Sequence, residues 1–127
     1  MPIERYREIF AATEASTMLA EDAGRVLAYS TFGVNRDDDT GPAVGEIRSF
    51  FADPDAWGRG AAPRLIADVL ARLAELGYAE VTLWSFAANA RANAFYERHG
   101  MERDGGRRTQ EAWADIAQVR YRRTLAV

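Results

Sequence analysis

The stretch from Glu46 to Phe86 changes its hydrophobic period twice, and this constrains the chain more than any other feature. "GEIRSFFAD" alternates as a strand does, with Glu46, Arg48 and Phe50 on one face and Ile47, Ser49 and Phe51 on the other. Asp53-Pro54-Asp55 breaks it. "DAWGRGAAPRLI" follows, and from Ala61 the apolar positions Leu65, Ile66, Val69, Leu70, Leu73 and Leu76 recur at helical spacing. Gly77 suits the C-terminal cap of that helix, and "AEVTLWSF" returns to a strand. A strand–helix–strand succession closes through a right-handed crossover, so strands 46–52 and 79–86 are expected to lie parallel.

The flanks read more locally. "PIERYREIFAA" puts Ile3, Tyr6, Ile9 and Phe10 at helical spacing, which predicts a helix over residues 3–12. "STMLAED" and "RVLAYSTFG" form two strands around a turn at Asp22-Ala23-Gly24. "NRDDDTGPAVG" is a polar loop. Residues 89–99 form a second amphipathic helix closed by Gly100, and the tail reads as two further strands with Ile116, Val119 and Tyr121 as apolar content. We expect one domain over residues 1–127, an α/β (α+β) mixed sheet with terminal antiparallel hairpins and helices on its faces.

Composition narrows the chemistry. The 127 residues carry a net charge of −3, which argues against nucleic acid as a partner. All 16 basic residues are Arg. There is no Cys, so disulfides, thiolate metal sites and cysteine nucleophiles are excluded together. One His offers neither a zinc site nor a Ser-His-Asp triad, and we expect no metal; His99 reads as a surface residue near a helix end. No apolar run is long enough for a bilayer, and "MPIERYREIF" is too charged for a signal peptide. We therefore expect a cytoplasmic protein that does not engage membranes.

The glycine loop admits two readings. A helix start leaves backbone N–H groups unpaired and carries partial positive charge, so an anion placed there gains on both counts. Gly58, Gly60, Ala61 and Ala62 leave the backbone open, and Arg59 and Arg64 add charge. The plainer reading is a flexible turn with small residues packing under a helix. No Lys-Ser/Thr pair follows the glycines, so this is not a P-loop, and the full G-x-G-x-x-G is absent.

From "VLAYSTFG" through "FYERHGM" the sequence resembles the GNAT acetyltransferase superfamily. "GEIRSFFADPDAWGRGAAPRLI" is similar to the family's acetyl-CoA motif, Gln/Arg-x-x-Gly-x-Gly/Ala entering a helix. "LGYAEVTLWSF" is similar to its next strand, and "NARANAFYERHGM" to Asn-x-x-Ala-x-x-x-Tyr with the ending Phe-Tyr-Glu-x-x-Gly-Phe. The resemblance implies a GNAT acyl-CoA fold in which the amides from Gly58 to Ala62, Arg59 included, hold the CoA pyrophosphate. It implies backbone pairing of Phe50, Phe51 and Ala52 with pantetheine in a splay between the parallel strands. It also implies that Asn89 contacts pantetheine and that Tyr96 faces the leaving thiolate. Two residues depart from the motif: Trp57 stands where Gln or Arg is usual, and Pro63 removes a backbone donor. The family begins with a strand and a helix ahead of the helix read at 3–12. The chain is thus expected to be N-terminally shortened, with a homodimer covering the gap.

The implied activity is acetyl transfer from acetyl-CoA to the amine of a small molecule or peptide. Glu46 is the candidate base, against an ordinary strand Glu. Tyr96 is the candidate acid, against helix packing beside Phe95; free Tyr at about 10 and a thiol at about 8.5 favour hydrogen bonding over full proton transfer. Asn89 also suits the N-cap of its helix. "RDDD" at 36–39 reads as a solvated loop or a lure for a cationic acceptor. Trp84 and the neighbouring Phe residues read as core, and "RYRR" at 120–123 as the outer face of an edge strand. The alternative function is a catalytically weak or inactive GNAT domain acting as a CoA-binding or dimerisation module.

Overall fold

A computed structural model describes residues 5–11, 15–56, 58, 60–111 and 114–125. The strands are β1 (Arg5–Ala11), β2 (Ala15–Asp22), β3 (Arg25–Val34), β4 (Val44–Ala52), β5 (Glu80–Phe86), β6 (Glu102–Arg108) and β7 (Gln118–Thr124). The helices are α1 (Ala61–Glu75), between β4 and β5, and α2 (Ala90–Arg98), between β5 and β6. They build one mixed sheet in the order β1-β2-β3-β4-β5-β7-β6. Only β4 and β5 pair in parallel, as the crossover requires. The β2–β3 turn has Ala23 and Gly24 both at positive φ, the backbone of the primed turns that match strand twist.

The helix expected over residues 3–12 is a strand. β1 pairs antiparallel with β2 from Arg5 opposite Glu21 to Ala11 opposite Ser16. Tyr6 and Phe10 lie four residues apart, a spacing that serves both periods, and the free edge of β2 decides between them. The edge beyond β2 is therefore occupied by β1 of the same chain.

A second difference concerns β4. Thr31 faces Ser49, but Phe32 faces Ile47, so Arg48 is an extra residue in a β-bulge. The bulge reverses the alternation. Ile47, Phe50 and Ala52 pack with the core, whereas Phe51 is exposed beside Tyr29, the rings 5.4 Å apart. Phe50 thus shares a face with Ile47, not with Glu46 as the sequence pattern suggested.

One sheet face carries both helices. Leu65, Ile66, Val69 and Leu73 of α1 pack with Leu27, Phe32, Ile47, Val81 and Leu83, and the same core reaches Tyr96, Met101 and Tyr121. Gly45 lets α1 approach: a Cβ there would stand 3.1 Å from Leu73 and Tyr78.

The opposite face is polar and organised around Arg120. β7 lies between β5 and β6, so "RYRR" is not on an edge strand. Arg120 donates to Asp39 at 2.6 and 2.8 Å, to Asp104 at 2.7 Å and to Asp37 at 3.2 Å. The Trp84 indole donates to Asp37 at 2.9 Å, so Trp84 is not a core residue and "RDDD" is not simply a solvated loop. Ile116 lies outside β7 and is exposed. Arg120 is buried, and removing it leaves the partly buried Asp37 and Asp104 with one longer ion pair each, to Arg108 at 3.8 Å and to Arg122 at 3.2 Å. Arg120→Ala is expected to cost about 3 kcal/mol, read as a lowered urea midpoint at unchanged slope.

Candidate functional site

Parallel pairing between β4 and β5 runs from Val44 opposite Glu80 to Ile47 opposite Leu83 and stops there. β4 continues to Ala52 along β3, and β5 continues to Phe86 along β7. The two strands therefore part just after the bulge. On the helix face this gap opens into a cleft of about 560 Å³. Phe50, Phe51 and Ala52 form one wall, Gly58, Gly60, Ala61, Ala62 and Pro63 the end, and Asn89, Ala92, Phe95 and Tyr96 the other wall. Residues from three separate sequence motifs are thus brought together.

The end wall is the N-terminus of α1. Its N-cap, Gly60, has φ 83° and no side-chain cap, and Gly58 also has φ 83°. This left-handed backbone favours glycine on steric grounds. A Cβ at either glycine would meet nothing within 4 Å, so the protein leaves the space open. The first turn is Ala61, Ala62 and Pro63, and the first intrahelical bond is from the Arg64 N–H to the Gly60 carbonyl. Pro63 therefore removes a donor that the helix itself does not use, and the amides of Ala61 and Ala62 remain. The glycine end of the cleft therefore presents backbone donors, and its long walls are largely apolar. Trp57 and Arg59 lie outside the described residues.

Asn89 caps α2, accepting from the Ala92 N–H at 3.2 Å, and also borders the cleft. The buried Asn93 was not singled out by the sequence. It accepts from the Ser85 hydroxyl at 2.7 Å and donates to the carbonyls of Phe86 and Ala87, tying α2 to the end of β5. An Asn within an apolar helix face was the one sign of it. His99 is the C-cap of α2 and packs on Phe95 with ring centres 4.6 Å apart.

Tyr96 packs edge-on to Phe50 at 6.4 Å and lies 6.0 Å from Tyr121. Its hydroxyl has no hydrogen bond among the described residues, and burial pushes its pKa up to about 12. Against a thiol near 8.5, proton donation by such a phenol is uphill by about 5 kcal/mol, so Tyr96 is suited to donate a hydrogen bond rather than a proton. The Tyr121 hydroxyl next to it donates to Glu97 at 2.7 Å and accepts from Arg103.

Glu46 is not part of the cleft. It faces the polar side, is fully buried, and accepts from Arg36 at three points: Nε and Nη2 at 3.0 Å and the backbone N–H at 3.1 Å. It stands one residue before the point where β4 and β5 part.

The parted pair of parallel strands, with the start of α1 at the mouth of the gap, belongs to an α/β domain with a mixed sheet. The model of the Acetyltransferase (GNAT) family matches residues 2–101. The chain belongs to this family. It is 36% identical over 83 residues to the mycothiol acetyltransferase of Kocuria rhizophila, covering 65% of this chain and 27% of that protein. With the mycothiol acetyltransferase of Geodermatophilus obscurus it shares 41% over 91 residues, covering 70% of this chain and 29% of that protein. The chain thus spans under a third of the length of these curated relatives. The fold matches the ribosomal-protein-S18-alanine N-acetyltransferase of Escherichia coli at TM-score 0.73 and 17% identity, over 92% of this chain and 73% of that one. An N-acetyltransferase from Thermoplasma acidophilum, solved in complex with coenzyme A, gives TM-score 0.71 and 11% identity over 87% and 61%.

The Tyr96 shift has a stability consequence. Its unfolded phenol ionises near 10 and its folded phenol near 12, so between these values the unfolded state alone loses the proton and stability falls as pH rises. Tyr96→Phe is expected to remove that loss, up to about 3 kcal/mol at the upper end, with no effect below pH 9. Urea denaturation of both proteins from pH 8 to 12 measures the difference.

Proposed function

We propose that this domain transfers an acetyl group from acetyl-CoA to an amine. The observation that carries the reading is the cleft between β4, the N-terminus of α1 and α2, with Tyr96 on its wall. The amides of Gly58, Gly60, Ala61 and Ala62 and the backbone around Arg59 hold the pyrophosphate, aided by the helix dipole. The free edge of β4 at Phe50, Phe51 and Ala52 aligns pantetheine, and Asn89 and Phe95 flank it. The donor supplies a thioester. The amine nitrogen forms its bond to the carbonyl carbon, the C–S bond breaks, and sulfur leaves with the electron pair. Tyr96 donates a hydrogen bond to that sulfur, and Glu46 takes the amine proton once Arg36 releases its carboxylate.

Supporting this reading are the family membership and the complex with coenzyme A of a protein of the same fold. No metal enters the scheme. No helix among the described residues is long and apolar enough to cross a membrane. The exposed Tyr29, Phe51 and Val26 support self-association as a homodimer. A second reading, a domain that holds CoA without transferring from it, is favoured by one observation: Glu46 is buried against Arg36.

Two measurements test the reading. Saturating acetyl-CoA is expected to raise the melting temperature, because a ligand that binds only the folded state stabilises it; no shift would sink both CoA readings. Thiol release with an amine panel then separates enzyme from binding module. Tyr96→Phe is expected to lower kcat about tenfold or more while leaving the KM for acetyl-CoA within about twofold, the pattern of a bond made in the transition state.

A further inference from the structure

Resting on the acetyltransferase reading, we propose that the polar face of the β4–β5 seam binds a carboxylate carried by the acceptor, with Arg108 as its main ligand and Arg36 beside it. The acceptor class is then an amine that bears a carboxylate, as an α-amino acid does.

The loop after β3 lies over this seam. Asn35 donates to the Gly45 carbonyl and to Thr82, Arg36 to Glu46, and Asp37 accepts from Trp84. Trp84 is the residue after Leu83, at which the strands have parted. The loop therefore marks the side of the gap opposite Tyr96, where an acceptor would approach the thioester.

The named carboxylates and guanidiniums on this face balance in number, but the carboxylates are all engaged whereas some guanidinium N–H groups are not. Asp37 is spent on Trp84 and Arg120, Asp39 on Arg120, Asp104 on Arg120 and Arg122, and Glu46 on Arg36. A cationic acceptor would have to compete with these pairs. Guanidinium donors are in surplus. Among the described residues the Arg108 guanidinium makes one hydrogen bond, Nε to Gln118 at 2.9 Å, and one long ion pair, to Asp37 at 3.8 Å, that no hydrogen bond accompanies. Arg36 uses Nε and Nη2 on Glu46, and its Nη1 has no partner among the described residues.

Arg108 is also held in place. Its guanidinium lies over the Trp84 ring at 4.2 Å, and Asp37 fixes that ring through the indole N–H. Burial and the like charge of Arg36 push the Arg108 pKa down, although Asp37 and Glu46 act the other way. A partly desolvated cation with its fork of donors unfilled and its plane fixed suits a carboxylate, which accepts two parallel N–H bonds.

The test compares L-α-amino acids with their methyl esters, which keep the amine and remove the charge. Thiol release is measured on the full chain and on Arg108→Ala. The acids are expected to be favoured in kcat/KM by roughly tenfold or more in the parent, and the ratio to fall to within about twofold in the variant. Because the ratio is internal, general damage from the substitution cancels. Arg108→Lys is expected to restore only part of it, since a point charge lacks the fork. Esters used as well as acids by the parent, or a ratio that survives in Arg108→Ala, would overturn the proposal. If no amine is acetylated and acetyl-CoA gives no thermal shift, it is the acetyltransferase reading that fails. The carboxylate site is then read separately by NMR titration with N-acetyl-L-alanine and its methyl ester. Perturbation of the Trp84 indole by the acid alone supports the site, and no perturbation by the acid overturns it.

Discussion

The parting of β4 from β5 after Ile47 and Leu83 is the constraint on which the rest of the site depends. Parallel strands joined by α1 would ordinarily pair along their whole length. Here the extra residue at Arg48 keeps β4 on β3 and lets it leave β5. The same bulge turns Phe50 toward α2, where it packs on Phe95 and Tyr96. One inserted residue therefore opens the gap and furnishes its apolar wall. α1 begins at the mouth of the gap with unfilled amides, a consequence of the crossover geometry and not of any particular side chain.

The two faces of the sheet solve different problems. The helix face is apolar, and burial beneath α1 holds it together without directional demands. The polar face must satisfy several charges at once, and Arg120 does so by meeting three carboxylates from two segments far apart in the chain. Ion pairs of this kind contribute little net stability but tolerate few alternative arrangements. They fix the loop at residues 35–39 over the seam, so the polar side of the gap is shaped by charge and the helix side by packing.

Local signals carried much of this into the sequence. The period change from β4 to α1, the positive-φ glycines at helix ends and the Asn89 cap are properties of short stretches and were legible. The mixed α/β sheet followed from them, while the three motifs of the cleft were read through the resemblance to the GNAT family. The bulge was not, because Glu46 to Phe51 alternates cleanly and only pairing with β3 reveals the extra residue. β1 reads as a helix because Tyr6 and Phe10 fit both periods. The polar face was hidden for a different reason. Asp37 and Arg120 are more than eighty residues apart, and a run such as "RYRR" shows its charge but not its partners.

The central claim is that an acyl-CoA lies in the gap with its pyrophosphate at the start of α1. Amide NMR on the full chain titrated with coenzyme A tests this directly. The account predicts saturable shifts at Gly58, Gly60, Ala61 and Ala62 together with Phe50 to Ala52. Shifts confined to the polar face, or no shifts at saturating ligand, would contradict it.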